Sequence, residues 1–317
     1  MELEIEEVIY ESSNGIDKIY GKIIKPNNIE IRGIVQISHG MCEYFDRYID
    51  FAIYLANQGF IVCGHDHLGH GNSASSKEER GYFAKRDGYK YLIQDLKKLT
   101  DIVRERFFNL PLFLFGHSMG SLIARCYAAK YGDDLAGLIL CGTVGPQPLA
   151  NAGIKLAKLI SNTKGDHYRS KKLYNVALDF ANIKFLPVST RFDWLCGDEE
   201  VVTRHVADEK SDFIFTASAF EDLFHLVNLC NSNMVIKTIP KNLPLLFISG
   251  ALDPIGENGI GVKRAVKIYK DLGIQNITCK LYKEARHELI NEKNKMDVYN
   301  DIYSWMLGFK LQESEVI

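Results

Sequence analysis

The chain has 317 residues, of which 46 % are hydrophobic and 25 % are charged, and its formal net charge is −2 at pH 7. This length is sufficient for one large α/β domain with an insertion. The near-neutral charge gives no field that would favour nucleic acid or an anionic membrane. The expected partner is therefore a small neutral or mildly polar molecule and not a nucleic acid.

Three features predict a cytoplasmic protein. The acidic, alternating start "MELEIEEVIY" is unlike the basic and apolar start of a signal peptide. No apolar run approaches the roughly 18 residues that span a bilayer. The seven cysteines form no C-x-x-C pair and stand mostly within apolar segments. This predicts reduced, buried thiols that pack as small hydrophobic groups.

The predicted elements begin with a hairpin at a sheet edge, because "LEIEEVIY" and "DKIYGKII" alternate in polarity and are separated by "SSNG". Three continuous apolar runs follow and end at Ser38, Gly64 and Phe115. Such runs are typical of parallel strands buried on both faces. Between the first two runs, "RYIDFAIYLANQG" predicts a helix that ends at Gly59. The order of elements indicates a doubly wound, mostly parallel α/β sheet.

The chain divides into three predicted parts. The strand and helix alternation covers residues 1–144, lapses over residues 145–239 and resumes over residues 240–317 with "PLLFISG", "GVKRAVKIYKDLG" and "ITCKLY". The middle part contains amphipathic segments without a strand rhythm, so we predict a helical insertion set on top of the sheet. We expect most of its aromatic residues to form its own core and a few to line an acyl-chain pocket. These residues are Phe180, Phe185, Phe192, Trp194, Phe213, Phe215, Phe220 and Phe224.

The stretch "LPLFLFGHSMGSLIARCYAAKYG" places a serine between an apolar strand and a helix. Ser118 is flanked at two residues on either side by Gly116 and Gly120, which allow the strand and helix backbones to approach closely. This G-x-S-x-G turn is the arrangement of a nucleophile elbow. It also directs the backbone amide of Met119 towards an oxyanion. Ser118 is therefore the predicted nucleophile.

A serine nucleophile needs a base and a carboxylate, and the elbow topology places them after later strands in the order acid, then histidine. Asp253 follows "PLLFISG", and His287 follows "ITCKLY". We predict that these two residues complete a catalytic triad with Ser118. Asp253 could instead be a turn residue before a proline, and Asp193 and Asp198 are alternative acids.

The second oxyanion donor is expected from the loop that follows the first parallel strand. In "IVQISHGMCEY" this loop contains Gly40, which permits close approach to the substrate, and Met41, whose backbone N–H is the predicted donor. The neighbouring Cys42 is expected to be a packed thiol without a catalytic role.

The motifs "HGMCEY", "HDHLGHGNS", "GHSMGS" and "SGALDP" and the His287 loop occur in this order along nearly the whole chain. Together they resemble the α/β-hydrolase branch that contains monoacylglycerol lipases and bacterial lysophospholipases and is also classed with serine aminopeptidases. The resemblance implies the α/β-hydrolase fold with a helical cap, the triad described above, oxyanion amides at Met41 and Met119, and no cofactor. The chain departs from the branch at His67 and Leu68, where an arginine is usual, and at Cys42, where a glycine is common.

A metal-dependent hydrolase is an alternative, because His65, His67 and His70 match three positions of an H-x-H-x-D-H metal motif. However, Gly69 stands where that motif has its aspartate. The other interpretation is that Asp66 and His70 brace the loops beside the elbow.

Other activities remain open within the same fold. A small-ester esterase, a thioesterase and an amino-terminal peptidase could use the same triad, and the acidic "CGDEEV" at residues 196–201 could bind a substrate amine. The basic run "KGDHYRSKK" is expected to be a solvated face. A scaffold without activity would be expected to lack a triad residue. We predict a serine hydrolase of monoacylglycerol or lysophospholipid esters, with at most transient membrane-surface contact through the cap and with the oligomeric state left open.

Overall fold

Short apolar runs form the strands of one sheet in the computed structural model, which describes residues 2–308. The strands are β1 (Leu3–Glu11), β2 (Lys18–Pro26), β3 (Gly33–Ser38), β4 (Phe60–His65), β5 (Leu112–His117), β6 (Gly137–Cys141), β7 (Leu245–Gly250) and β8 (Ile277–Tyr282). Every residue of β3 to β7 is buried, which explains their continuous apolar character. The predicted strands and the mostly parallel sheet are therefore confirmed.

The sheet order is β1-β2-β4-β3-β5-β6-β7-β8. The hairpin of β1 and β2 is antiparallel and forms one edge, as the alternating amino-terminal segments predict. All pairs from β4 to β8 are parallel. The order along the sheet changes direction around β3, β4 and β5, and ligands of open α/β sheets bind at the carboxyl ends of strands near such a change.

Helices cover both faces of the sheet. They are α1 (Ile49–Asn57), α2 (Gly88–Arg106), α3 (Met119–Tyr131), α4 (Ala150–Lys164), α5 (Lys171–Leu178), α6 (Glu199–Ala207), α7 (Ala217–Cys230), α8 (Asn233–Ile236), α9 (Ile260–Asp271) and α10 (Lys295–Met306). One apolar cluster joins the sheet to α2, α3 and α9, and a second joins it to α1 and α10. The two clusters make the arrangement doubly wound.

Between β6 and β7 the described chain contains helices and turns without a strand, and we refer to residues 145–239 as the helical insertion. Its α7 packs on α4 and on α3 of the sheet layer. Six of the cysteines are buried thiols, as predicted: Cys42, Cys63, Cys126, Cys141, Cys196 and Cys230. Within residues 2–308, no helix has the length and apolar character needed to cross a membrane. The cytoplasmic location stays a prediction.

Candidate active site

The turn between β5 and α3 holds Ser118 in a strained backbone conformation, with φ 51° and ψ −120°. Both glycines are required, because a side chain at either position would clash with a neighbouring backbone atom. A Cβ atom on Gly116 would lie 2.6 Å from the carbonyl oxygen of Gly120, and a Cβ atom on Gly120 would collide with the carbonyl oxygen of Ser38. The Ser118 N–H donates to the carbonyl oxygen of Cys141 on β6 at 2.9 Å. The strained turn has the geometry of a nucleophile elbow.

Asp253 and His287 lie at the carboxyl ends of β7 and β8, and the structure brings them together. Asp253 Oδ2 is 2.9 Å from Nδ1 of His287. The other oxygen, Oδ1, accepts the backbone N–H of Ile255 at 2.9 Å, and Ser249 Oγ lies 3.3 Å from Oδ2. An ionised carboxylate can only accept, so the proton belongs on Nδ1 and leaves Nε2 of His287 as the basic nitrogen.

Ser118 and His287 line the same cavity. Within the described residues, no hydrogen bond joins the Ser118 hydroxyl to the His287 ring. Such bonds are often long in structures without substrate and shorten when substrate binds. The carboxylates of the two alternative acids accept hydrogen bonds from nearby backbone instead. Asp193 accepts from the N–H groups of Ser189 and Thr190, and Asp198 caps α6.

The two predicted oxyanion donors both line this cavity. Met41 follows β3, and Met119 is the first residue of α3. In the part of the chain from residue 2 to residue 308, neither backbone N–H donates a hydrogen bond. A Cβ atom on Gly40 would lie 3.0 Å from the Ser118 Cβ, so the absence of a side chain lets this loop approach the serine. The amino-terminal end of α3 adds a favourable dipole for negative charge near Met119.

Cys42 is a packed thiol, as predicted. Its φ of 56° lies in the left-handed region, which glycine adopts more readily than cysteine. Its sulfur donates to the carbonyl oxygen of Phe213 at 3.3 Å. Burial raises the pKa of this thiol, so Cys42 lacks the thiolate character of a nucleophile.

The cavity has a volume of about 420 Å³ and walls that are mostly apolar. A cavity of this kind suits a small ligand with an apolar chain. Five of the eight phenylalanine and tryptophan residues of the helical insertion line it, which is more than the few expected: Phe180, Phe192, Trp194, Phe213 and Phe224. Phe215 and Phe220 are fully buried, as core residues are expected to be.

A buried polar network borders the cavity on the side of His117, the residue before the serine. His117 Nδ1 lies 3.0 Å from Glu43 Oε1, and its Nε2 lies 3.3 Å from the carbonyl oxygen of His287. Both neighbours are acceptors, so both ring nitrogens carry protons. Burial alone would lower the pKa of His117, but the adjacent Glu43 carboxylate raises it above the ordinary value. The His117 ring therefore ties the elbow to the backbone of His287.

The network continues through two more charged groups. Glu43 also accepts from the N–H of Gly40 and from the Tyr48 hydroxyl. Its Oε2 lies 3.5 Å from Nε of Arg47, and Nη2 of Arg47 lies 2.7 and 2.8 Å from the two oxygens of Glu288. The two carboxylates balance the charges of His117 and Arg47. Sequence reasoning missed this network, although the Glu43 and Arg47 spacing and the position of Glu288 next to His287 were available signals.

Replacing Arg47 by methionine is expected to lower the free energy of unfolding by about 3–5 kcal/mol, because it leaves Glu288 buried without a cationic partner. Urea denaturation measures this change. The matched control is Arg106→Met, which breaks the exposed pair with Glu6 and should cost under about 1 kcal/mol. Equal small effects of the two substitutions would show that the buried network does not stabilise the fold.

The segment Phe192–Gly197 of the helical insertion is fastened to the His287 loop. The Trp194 ring centroid is 5.1 Å from that of His287, and the N–H of Glu288 donates to the carbonyl oxygen of Leu195 at 2.8 Å. Arg286 donates to the carbonyl oxygen of Cys196 at 3.2 Å. These contacts connect the insertion to the histidine of the site, a link that the sequence did not indicate.

The histidines of the metal alternative lie together. Among the described residues His65 Nδ1 and His70 Nε2 have no hydrogen-bond partner, whereas the other ring nitrogens bond to each other or to neighbouring protein groups. His65 Nε2 is 3.1 Å from His67 Nδ1, and His67 Nε2 is 3.0 Å from Ser38 Oγ. Among residues 2–308, no group of three or more histidine, cysteine or acidic side chains is arranged to hold a metal ion. Asp66 braces two loops, because it accepts the N–H groups of Phe45 and Asn72.

The fold and the turn at Ser118 define the class of protein: the chain is an α/β-hydrolase. A solved structure of a thermostable carboxyl esterase from Bacillus coagulans matches it with a TM-score of 0.89 and 30 % identity, covering 96 % of this chain and 98 % of that one. The sequence model of the family described as "serine aminopeptidase, S33" matches residues 29–294. The chain belongs to this family, which confirms the resemblance stated from the motifs.

Relatives narrow the activity to hydrolysis of the lipase and esterase type. Human monoglyceride lipase is 25 % identical over 281 residues, which cover 87 % of this chain and 82 % of that protein. A probable lysophospholipase L2 from Haemophilus influenzae is 24 % identical over 288 residues, covering 87 % of this chain and 83 % of that protein.

Proposed function

We propose that the protein is a serine carboxylic-ester hydrolase that forms an acyl-enzyme and acts on uncharged monoacylglycerol-type esters. The observation that carries this proposal is the shared cavity of Ser118 and His287, with His287 hydrogen-bonded to Asp253. A strained serine beside an oriented imidazole is the arrangement that activates a hydroxyl as a nucleophile.

In the proposed reaction, Ser118 Oγ attacks the ester carbonyl carbon while Nε2 of His287 takes the hydroxyl proton. Asp253 holds the ring in this tautomer and stabilises the imidazolium. The backbone N–H groups of Met41 and Met119 bind the oxyanion. The C–O bond then breaks, and His287 donates its proton to the departing alcohol. Water, activated by the same histidine, releases the fatty acid and regenerates the serine.

The charge around the cavity supports an uncharged substrate. Glu43 and Glu288 are balanced by His117 and Arg47, and Glu257, the third acidic residue of the lining, is paired with Arg264. The described part of the cavity therefore offers no excess cation for a phosphate and no excess anion for an amine. Of the three acidic residues in "CGDEEV", Glu199 and Glu200 are exposed and Asp198 caps α6, and none of the three lines the cavity. Monoacylglycerol therefore fits better than a lysophospholipid or a peptide.

The helical insertion is proposed to be a cap that meets lipid aggregates transiently. Three exposed apolar residues, Leu149, Val176 and Phe180, also line the cavity, and Ile183 and Leu186 nearby in the chain are each 66 % exposed. An exposed apolar patch of this kind favours contact with a lipid surface. Replacing Ile183 and Leu186 together by aspartate should reduce co-sedimentation with phosphatidylcholine vesicles and leave hydrolysis of a monomeric short-chain ester unchanged. Undiminished vesicle binding would contradict the contact.

The proposed function is tested with a decanoyl monoacylglycerol, a decanoyl lysophosphatidylcholine and an aminoacyl p-nitroanilide, each with and without a strong chelator. We expect chelator-resistant hydrolysis with kcat/KM for the monoacylglycerol at least about tenfold above the others. Preference for the lysophospholipid or the anilide would overturn the substrate assignment. Loss of activity to the chelator would overturn the serine mechanism and favour the histidine cluster.

A further inference from the structure

His205, on α6 of the helical insertion, is a buried histidine that the proposed reaction does not use. It is 3 % exposed and lines the cavity together with Ser118, His287 and Glu288. Neither ring nitrogen has a hydrogen-bond partner among the residues that the structure describes. Within residues 2–308, His205 is the residue of the cavity lining whose polar side-chain atoms are fully buried and have no hydrogen-bond partner. A buried polar group in this state is unfavourable unless a ligand satisfies it.

The surroundings of His205 define what it can bind. The Phe192 ring packs edge-on against the His205 ring, with 4.6 Å between the ring centroids, and covers one side of it. Burial lowers its pKa, so the ring is neutral near pH 7. A neutral imidazole presents one N–H donor and one acceptor nitrogen. A hydroxyl group can also donate and accept hydrogen bonds. The hydroxyl groups of a substrate alcohol therefore match the hydrogen-bonding capacity of this ring.

The two carboxylates in this part of the cavity are already engaged. Glu43 accepts from Gly40, Tyr48 and His117, and both oxygens of Glu288 accept from Arg47. The acyl chain has the apolar walls available to it, whereas the hydroxyls of the departing alcohol need partners. His205 is a buried side chain of the lining whose hydrogen-bonding capacity remains free for them.

We infer that His205 is a specificity-determining residue whose ring hydrogen-bonds the hydroxyl groups of the alcohol half of the ester, so that the enzyme selects polyol esters over alkanol esters. This inference rests on the proposed function. It makes one residue of the helical insertion responsible for discriminating between two esters that share an acyl chain and differ in their alcohol.

The test pairs two enzymes with two substrates. Monooctanoylglycerol and propyl octanoate differ by two hydroxyl groups, and His205→Phe keeps a ring beside Phe192 but removes both nitrogens. We expect the substitution to lower kcat/KM for monooctanoylglycerol by about 10- to 100-fold and to change that for propyl octanoate by no more than about twofold. His205→Gln, which keeps a donor and an acceptor, should retain most of the preference.

The controls separate this inference from the proposed function. His225→Phe makes the same change on α7, outside the cavity lining, and should leave both substrates unaffected. Equal loss on both esters in His205→Phe, or a preference for monooctanoylglycerol that survives it, would overturn the role of His205. If His205→Phe does not fold, His205→Leu, which also removes both nitrogens, takes its place, and a preference for monooctanoylglycerol that survives this substitution would overturn the role of His205. If the folded wild type hydrolyses neither ester, the proposed function itself fails.

Discussion

Replacing Ser118 by alanine is expected to lower kcat for ester hydrolysis by about 10⁴-fold or more, because it removes the proposed nucleophile, and burial raises the pKa of Cys42, the thiol in the cavity lining. The residual rate would come from substrate binding and the oxyanion amides. The measurement is steady-state hydrolysis of a p-nitrophenyl ester series from acetate to palmitate. A thermal unfolding curve close to that of the wild type would show that the loss is chemical.

Ser304→Ala is the matched control, because it removes a hydroxyl from α10, whose residues do not line the cavity. It should leave kcat unchanged. Substantial activity in Ser118→Ala, at a level near that of the wild type, would contradict the assignment of the nucleophile.

Replacing Asp253 by asparagine is expected to lower kcat by about 10⁴-fold with a small effect on KM. An amide in this position can donate to Nδ1 of His287 at 2.9 Å and so place the proton on the wrong nitrogen. Nε2 would then be unable to accept the Ser118 proton. Steady-state kinetics on the same ester series measures the change.

Asp193→Asn and Asp198→Asn are the matched controls, because the sequence alone allowed either residue to be the acid. Their carboxylates bond to local backbone, so each substitution should change kcat by less than about tenfold. A loss of activity in Asp193→Asn or Asp198→Asn that matched the loss in Asp253→Asn would mean that the acid had been assigned to the wrong residue.

The strands could be predicted from the sequence because burial on both faces of a parallel sheet demands continuous apolar runs, as in β3 and β5. The helices of the insertion were harder to place. Short amphipathic segments such as those of α4 and α5 indicate helix, but their periodicity does not define which neighbour each helix packs against. The boundaries of the insertion, at residues 145 and 239, stay a prediction.

The residues proposed for the triad could be found because each follows a strand, and strand ends of a parallel sheet converge on one edge. The sequence indicates the buried network only in part, through the spacing of Glu43 and Arg47 and the position of Glu288 next to His287. Glu288 meets Arg47 across 241 residues of sequence, and no local pattern encodes that contact. The sequence did not indicate a role for His205 either. The pattern of an amphipathic helix is the same whether or not the ring nitrogens of its histidine have hydrogen-bond partners.

The central claim is that Ser118 becomes covalently acylated. Incubation with a fluorophosphonate ester, followed by peptide mass spectrometry, tests it most directly, because this reagent phosphonylates an activated serine and mimics the tetrahedral intermediate. We predict one modified peptide that contains Ser118, complete loss of ester hydrolysis, and no labelling of Ser118→Ala. An enzyme that keeps hydrolysing esters with Ser118 unlabelled would contradict the account.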